Sequence, residues 1–349
     1  MLSLTEEIKT EARRLGFSLV AVTTPDPPPH WPTLEHWLTL GRHGSMDYMA
    51  DHRRADPRLV LPECKSILML AMSYPDSSSG NQNKSPRPAG RVASYAWGRD
   101  YHLLIPDRLK NLAAFIETKV GNGTTLRWYT DTGPIMERDL AQRAGLGWIG
   151  KNTCLINPKL GSYFLLAEIL MGIQLEADTP FEADRCGKCT RCINACPTNC
   201  ILPDRTIDAR LCLSYLTIEN KKEITAEMRP LVGNWVFGCD VCQQVCPWNR
   251  FASLAHDPLF SAQPGMRNPD LVSELGLTPA EFNHKFKQSS IKRSKRLGYL
   301  RNVAVALGNS GDFAAIQALE IAIQKNEILI REHALWALNN IKKGNYNKV

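Results

Sequence analysis

The sequence lacks any apolar stretch close to the roughly 20 residues that a membrane-spanning helix needs. Its first seven residues contain acids where a secretory signal peptide has a basic start and an apolar core. The 11 cysteines are an odd number, which disfavours a framework of disulfides. These absences predict a protein without a membrane span that resides in the cytoplasm, where thiols stay reduced. The composition, 44% hydrophobic and 22% charged over 349 residues, is that of a globular protein with two or three domains.

Excess positive charge is missing from most of the chain. The formal net charge is +7, yet residues 285–349 hold 12 Lys/Arg against 4 Asp/Glu, so the whole excess lies in this last segment. Such asymmetry is typical of a phosphate-binding surface. A basic surface without a ligand would explain the charge equally well.

Seven of the cysteines form two groups. The first group has the spacing C-x2-C-x2-C-x3-C-P of bacterial ferredoxins, in which three thiolates bind one [4Fe–4S] cluster and the fourth binds a second cluster. It consists of Cys186, Cys189, Cys192 and Cys196, followed by Pro197. The second group is Cys239, Cys242 and Cys246, followed by Pro247. A full copy of the motif would need a cysteine at Val236, and Cys212 can fill that place.

This arrangement predicts two [4Fe–4S] clusters, each of which borrows one ligand from the opposite group. The ligands of the first cluster are Cys186, Cys189, Cys192 and Cys246. The ligands of the second are Cys196, Cys212, Cys239 and Cys242. Paired C-x2-C motifs also suit zinc, but zinc needs neither the third closely spaced cysteine nor the trailing Cys-Pro. Cys200 is the rival for a ligand place, and with Cys64 and Cys154 it is otherwise read as a small buried hydrophobe.

The fold class that we expect is α+β or α/β, in three domains. An α/β domain is predicted over 1–175, because an opening helix capped by Ser3 alternates with strands at 17–22, 66–72 and 126–129 and with a helix over 104–120. Residues 76–90, rich in Ser, Asn, Pro and Gly, are predicted to form a surface loop. A ferredoxin-like double-cluster domain follows over 176–255. After a linker at Pro264–Pro269, a basic domain over 265–349 should contain HEAT-like helices at 298–308, 312–324 and 328–341.

Three segments of the first domain invite a functional interpretation. Gly145–Gly150 matches the dinucleotide pattern G-x-G-x-x-G, but a helical stretch precedes it instead of a strand, so the glycines are expected to allow close approach to a bulky ligand. His102 is expected to be a core or substrate-facing residue. Asp131 follows a strand and precedes a tight turn; it either caps the next helix or, in a desolvated pocket, acts as a proton donor with a raised pKa.

With these segments assembled, the chain resembles the epoxyqueuosine reductases, a family of cobalamin-dependent iron–sulfur enzymes of tRNA modification. The resemblance spans almost the whole chain. It rests on the segments Ala55–Leu59, Asp131–Pro134, Glu137–Arg138, Ala144–Thr153, Cys212–Ile218, Gly238–Gln243 and Val245–Asn249.

The resemblance implies the last step of queuosine biosynthesis. In that reaction the epoxide of epoxyqueuosine, at the wobble position of a tRNA with a GUN anticodon, is reduced to the alkene of queuosine. Two [4Fe–4S] clusters would pass electrons to cobalamin, converting cob(II)alamin to cob(I)alamin. An external donor such as a flavodoxin or ferredoxin would supply the electrons, and we expect a monomer.

The resemblance also implies roles for individual residues. Asp131 becomes the proton donor and a neighbour of the cobalamin. The further cobalamin contacts are Arg54, Lys151, Asn152, Thr153, Ser214 and Gln243. The phosphate contacts to tRNA are Lys292, Arg293, Lys295, Arg296 and Arg301.

Two other functions share part of this pattern. A reductive dehalogenase also combines cobalamin with two clusters, but such enzymes usually carry an export signal and lack a basic tail. A ferredoxin-type electron carrier with a nucleic-acid-binding arm would leave the first 175 residues without a function.

Overall fold

The computed structural model describes residues 2–74, 88–121, 123–251 and 257–346. Its strands are β1 (Leu19–Thr23), β2 (Ser66–Ser73), β3 (Arg91–Val92), β4 (Leu126–Tyr129), β5 (Trp148–Ile149), β6 (Leu155–Ile156), β7 (Phe164–Met171) and β8 (Trp235–Phe237). Its α-helices are α1 (Leu4–Arg14), α2 (Trp31–Thr39), α3 (Tyr101–Val120), α4 (Glu137–Arg143), α5 (Arg191–Ala195), α6 (Leu213–Ile218), α7 (Arg229–Val232), α8 (Val241–Gln244), α9 (Leu271–Leu275), α10 (Pro279–Lys285), α11 (Lys295–Ser310), α12 (Ile316–Gln324) and α13 (Ile328–Tyr346). Short 3₁₀ turns connect several of these elements.

The main sheet has the strand order β1-β2-β7-β4, and all of its pairings are antiparallel. The central strand β2 is buried along its whole length. Leu68, Leu70 and Met72 pack into the core shared with α1 and α3, whereas Ile67 and Met69 pack into the core shared with α4. A strand covered on both faces needs no polar alternation, which explains the continuous apolar run. The mixed α/β content is therefore confirmed, and the antiparallel pairing makes this part of the chain α+β.

The predicted elements of this region are present with small shifts at their ends. The helix predicted over 104–120 starts earlier, at Tyr101, because the Asp100 carboxylate accepts the His102 N–H at 3.1 Å and caps it. Ser3 accepts the Glu6 N–H at 3.3 Å and caps α1. The surface loop predicted at 76–90 lies mostly outside the described residues.

The three predicted C-terminal helices are present as α11, α12 and α13. Their apolar faces share a core with Val92 and Trp97, which lie after β2, and with Val236 and Phe237 of β8. The linker predicted at Pro264–Pro269 is wrong, because Met266 is buried in this core and the Pro269 carbonyl accepts the Gly90 N–H at 2.8 Å. Segments from all three predicted domains thus contribute to one core, and the three-domain division stays a prediction. Among the described residues, no helix combines the length and apolar character needed to cross a membrane.

Candidate active site

Asp131 lies in a strained turn after β4, with its side chain directed to the start of α3. The Thr132 N–H closes a three-residue turn onto the Thr130 carbonyl at 2.7 Å, and Asp131 has φ +62°. The Tyr101 hydroxyl donates to Asp131 Oδ2 at 2.9 Å. The residue that precedes α4 is Met136, so Asp131 does not cap this helix. The helix-cap interpretation of Asp131 is therefore wrong.

The second partner of Asp131 is His102, whose Nε2 lies 3.5 Å from Oδ2. His102 Nδ1 lies 2.7 Å from Asp100 Oδ1, so the imidazole bridges two carboxylates. Burial opposes a charge on this ring, but the bonds to Asp100 and Asp131 outweigh it and raise the pKa of His102 to about 9. At neutral pH the histidine is consequently a cation. The expectation that His102 is a core or substrate-facing residue agrees with its half-buried position beside Asp131.

Asp131 is ionised in this arrangement. Desolvation by the surrounding protein would raise its pKa, but the hydrogen bonds from His102 and Tyr101 lower the pKa below its usual value. The predicted rise in the pKa of Asp131 is thus wrong for this structure. Its side chain is still 63% exposed, so it faces an open space. We call this space the Asp131 recess. Its border consists of residues that interact with Asp131, namely Tyr48, Tyr101, His102, Arg138 and Arg293.

A pair of carboxyl groups lies behind Asp131. Glu137 Oε1 accepts the Asp131 N–H at 2.7 Å, and its carboxyl also contacts that of Glu168 on β7. Glu168 is fully buried, and neither of its oxygens has a hydrogen bond of standard geometry. Burial and the neighbouring carboxylate of Asp131 raise the pKa of Glu137 to about 7, and burial raises the pKa of Glu168 further.

A line of tyrosines connects Asp131 with the second cysteine group. Tyr101 packs edge-on against Tyr95 with ring centroids 6.2 Å apart, and Tyr95 packs edge-on against Tyr74 at 6.5 Å. The Tyr74 hydroxyl lies 3.4 Å from Gln243 Nε2, next to Cys242 in sequence. Asp131 and the cysteines of α8 therefore border one continuous region of the molecule.

The four cysteines predicted to bind the first cluster line one cavity. Lys151, Asn152 and Trp248 line it with them, and the Lys151 amine donates to the Gly187 and Cys189 carbonyls at 2.7 and 2.9 Å. The set is Cys186, Cys189, Cys192 and Cys246. In the described part of the chain, no three His, Cys, Asp or Glu side chains converge on a single ion position.

The predicted ligands of the second cluster also lie together, with two further thiols among them. Cys239 interacts electrostatically with Cys212 and Cys196. Cys200 Sγ lies 3.4 Å from Cys196 Sγ and also contacts Cys212. The Cys154 thiol contacts that of Cys242. Sequence reasoning foresaw Cys200 as a rival ligand but did not place Cys154 at this site.

Two family models match the chain. Residues 185–249 match the 4Fe-4S double cluster binding domain, and residues 54–132 match epoxyqueuosine reductase QueG, DUF1730. The epoxyqueuosine reductase of Aliivibrio fischeri is 42% identical over 340 residues, which cover 96% of this chain and 91% of that protein. The chain belongs to the epoxyqueuosine reductase family. Its iron–sulfur character is confirmed by the double-cluster match, whereas the assignment of individual cysteines to each cluster stays a prediction.

Solved structures of epoxyqueuosine reductases have the same fold. One contains an epoxyqueuosine-modified tRNA-Tyr stem loop; it is 32% identical, has a TM-score of 0.88, and the match covers 99% of this chain and 92% of that chain. Another, from Bacillus subtilis, has its catalytic aspartate loop swung out of the active site; it is 31% identical, has a TM-score of 0.86, and the match covers 97% and 90% of the two chains.

The cobalamin contacts predicted for this family member are divided between the neighbourhood of Asp131 and that of the two cysteine groups. Arg54 donates to the Ile135 carbonyl at 2.9 Å, behind Asp131. The Thr153 carbonyl accepts from Arg138, which borders the recess, at 2.9 Å. Gln243 donates to the Ser162 carbonyl at 3.0 Å. Ser214 lies at the start of α6, two residues after Cys212.

Two of these residues carry buried polar atoms that have no hydrogen-bond partner within the described part of the chain. Asn152 is 5% exposed, and its Nδ2 has no hydrogen bond. Arg54 Nε is likewise buried and unpaired. Such orphaned donors are rare in folded proteins unless a ligand or water satisfies them.

The glycine-rich segment approaches the protein's own backbone instead of a ligand. A Cβ at Gly147 would lie 2.1 Å from the Ile156 carbonyl oxygen, and one at Gly145 would lie 2.5 Å from that of Thr179. The expected close approach to a bulky ligand is therefore wrong for these two positions. The helix predicted to precede them is present as α4.

The predicted tRNA contacts of this family member divide into exposed and buried residues. Lys292, Arg293 and Lys295 are exposed, although Arg293 pairs with Glu219 at 2.9 Å. Arg296 is only 12% exposed and is bound to Glu327.

Arg301 is 0% exposed and donates to the Leu216, Asn220 and Lys222 carbonyls. A phosphate cannot reach it, so its predicted tRNA contact is wrong; charge counting does not reveal burial.

Sequence reasoning missed Tyr101, Glu137, Glu168 and Tyr48 as parts of the site. The run Asp100-Tyr101-His102 was a usable signal, because it places three polar groups together at the start of a helix. The one signal for Glu168 in the sequence was the presence of an acidic residue within an otherwise apolar strand.

Proposed function

We propose that this protein reduces epoxyqueuosine to queuosine at the wobble position of tRNA with a GUN anticodon. Family membership supports the reaction, and the observation that carries it is the exposed Asp131 carboxylate beside His102. A line of packed tyrosines runs from this carboxylate to Gln243, next to the cysteine group of α8. An acid at this position suits the protonation of an oxygen that leaves an epoxide. A tRNA substrate would place the reaction in the cytoplasm.

The reaction consumes two electrons and two protons. Both carbon–oxygen bonds of the epoxide break, a carbon–carbon double bond forms, and the oxygen leaves as water. The two [4Fe–4S] clusters would carry the electrons from an external donor such as a flavodoxin or ferredoxin. Because each cluster passes one electron at a time, they would deliver the pair in successive transfers.

The protons would pass through Asp131. The raised pKa of His102, whose Nε2 lies 3.5 Å from Asp131 Oδ2, favours a proton on the imidazole at neutral pH. Transfer from His102 to Asp131 and then to the departing oxygen avoids the release of a free alkoxide. Tyr101, which donates to the same carboxylate oxygen at 2.9 Å, orients the acid. The catalytic aspartate loop of the Bacillus subtilis relative supports this assignment.

The residues around the recess fit a cobalamin, which when bound would supply a reduced cobalt centre able to transfer both electrons. The unpaired donors Asn152 Nδ2 and Arg54 Nε suit the amide oxygens at the edge of a corrin. We assign Asp131, Thr153, Ser214 and Gln243 to the same role. Lys151 would contact the cobalamin only beside the first cysteine group, because its amine donates to the Gly187 and Cys189 carbonyls there.

The tRNA would bind over the C-terminal helices, which we describe as HEAT-like. Lys292, Arg293 and Lys295 would contact phosphates. Arg293 lies 5.9 Å from the Tyr48 ring centroid, and both residues border the Asp131 recess. Phosphate binding at this edge would direct the modified base toward Asp131, and the relative solved with a modified stem loop supports this substrate.

An anaerobic assay tests the function. Reconstituted protein, cobalamin, a strong reductant and tRNA that carries epoxyqueuosine are combined, and the released nucleoside is weighed by mass spectrometry. We expect the loss of one oxygen, dependent on cobalamin. An unchanged nucleoside in the presence of two intact clusters would contradict the proposed function and leave an electron carrier.

A further inference from the structure

The backbone of Asp131 occupies a conformation that the chain does not adopt without support. Its φ of +62° lies in the left-handed region of backbone conformations, which residues other than glycine rarely occupy. The turn has one internal hydrogen bond, from Thr132 N–H to the Thr130 carbonyl at 2.7 Å. A residue held this way persists only where its surroundings determine it.

The support for this turn comes from the side chain of Glu137. Its Oε1 accepts the N–H of Asp131, six positions earlier in the chain, at 2.7 Å. Because Glu137 is the first residue of α4, its backbone is anchored by that helix. The hydrogen bond therefore ties the strained turn to a regular element.

Glu137 is in turn confined by a second carboxyl group. Glu168 lies against it from β7 and is fully buried, and Arg54 interacts electrostatically with Glu168. The other charged or titratable groups around Glu137 are Asp131, Arg138 and Tyr101. Glu168 is fully buried against Glu137, so ionisation of both carboxyls is costly. This favours a protonated Glu168 and leaves Glu137 as the acceptor for the Asp131 N–H.

We propose that Glu137, confined by Glu168, is a positioning residue that holds the Asp131 turn in the geometry required for proton donation. This inference rests on the proposed function. Glu137 touches neither the substrate nor the reacting oxygen; its effect reaches them only through the backbone of Asp131. Loss of its acceptor oxygen should release the turn while the rest of the recess stays formed.

The test compares Glu137→Met, which fills the same space without an acceptor, with Glu137→Gln, which keeps an acceptor oxygen. We expect Glu137→Met to lower kcat by about 10- to 100-fold, because small misplacements of a catalytic group have effects of this size. Glu137→Gln should stay within about threefold of the unmodified protein, because the hydrogen bond survives. Iron content and the Kd for substrate tRNA should not change in either variant. Glu117→Met, at an exposed position on α3, is the matched control.

A second measurement does not depend on turnover. Hydrogen exchange at the amides of Asp131 and Thr132 should be faster in Glu137→Met and unchanged in Glu137→Gln. The inference is wrong if Glu137→Met turns over like Glu117→Met. It is also wrong if both Glu137 variants are equally impaired, because the negative charge of Glu137 would then matter and its hydrogen bond to Asp131 would not. Should the unmodified protein itself fail to reduce the epoxide, the proposed function fails, and the exchange rates still report on the tie between Glu137 and Asp131.

Discussion

Asp131 and His102 act as one unit, because each sets the charge of the other. The imidazole holds its proton between Asp100 and Asp131, and Asp131 stays ionised as long as His102 is a cation. An isolated aspartate in a desolvated pocket would keep its own proton. In this structure the hydrogen bonds favour a proton on the histidine, and in the proposed mechanism the aspartate would deliver it.

The pH dependence of the reaction follows from this proton on His102. The pKa of His102 is raised to about 9, so its proton is present below that pH and is lost as the pH rises through it. We expect the single-turnover rate of pre-reduced protein to fall above about pH 9. In His102→Gln the rate should be about 10- to 100-fold lower at neutral pH and should lack this alkaline limb. An identical pH profile in the two proteins would contradict the role of His102.

Replacement of Asp131 tests the acid itself. Asn tolerates a positive φ and can still accept from Tyr101, so Asp131→Asn should keep the turn while it removes the acid. We expect turnover to fall at least about 100-fold, with iron content and tRNA affinity unchanged. Asp107→Asn, an exposed substitution on α3, is the control. Normal turnover in Asp131→Asn would exclude its role as the proton donor.

At the scale of elements, short helices and turns determine which thiols meet. Helix α5 ends at Ala195, and the turn that follows, with Asn199 at φ +51°, returns the chain so that Cys200 faces Cys196. Cys212 arrives from the start of α6, and Cys239 and Cys242 from the start of α8. Three pairs of close thiols result, and Cys200 belongs to two of them.

Cys200 and Cys212 can be distinguished by the iron that each variant retains. In the predicted assignment Cys212 completes the ligand set that the motif leaves open, whereas Cys200 is an additional thiol in a turn. We expect Cys212→Ala to lose one cluster and Cys200→Ala to keep both. Iron and sulfide analysis, with the electron paramagnetic resonance of the reduced protein, measures this. The reverse iron counts would make Cys200 the cluster ligand and Cys212 the additional thiol. The control is Cys64→Ala, at a buried thiol in a different core.

At the scale of the whole molecule, α11 connects the C-terminal helices to the cluster region. Arg301 donates to carbonyls after and within α6, and Asn302 donates to the Thr217 and Val236 carbonyls at 2.8 and 2.9 Å. Burial lowers the pKa of Arg301 to about 10, yet it remains charged at neutral pH. Part of the basic excess at the C-terminus therefore stabilises the fold instead of facing a ligand.

Salt dependence should separate the two kinds of basic residue. Lys292→Gln combined with Lys295→Gln should weaken tRNA binding and reduce the slope of log K against log salt by about 1 to 2, because up to two phosphate contacts are lost. Arg301→Met should leave this slope unchanged and lower the free energy of unfolding by about 3 kcal/mol, because its carbonyl partners lose their donor. A slope unaffected by the lysine changes would place the tRNA elsewhere.

The sequence by itself determined the features that depend on local spacing. The cysteine intervals indicated two iron–sulfur clusters, and short motifs carried the resemblance to the family. A continuous apolar run located β2, and the pattern of apolar residues located α3 and the three C-terminal helices. Each of these signals is contained within a few turns or strands, so neighbouring residues are enough to express it.

Only the tertiary structure decided which of these residues meet and which are buried. Asp131 contacts Tyr101 and His102, which belong to a helix that starts 30 residues earlier in the chain. Arg301 donates hydrogen bonds to carbonyls of residues that lie 79 to 85 positions away. The antiparallel order of the sheet and the pairing of Glu137 with Glu168 are likewise long-range. Burial, charge pairing and pKa depend on groups brought together by packing, and the order of residues along the chain does not contain that information locally.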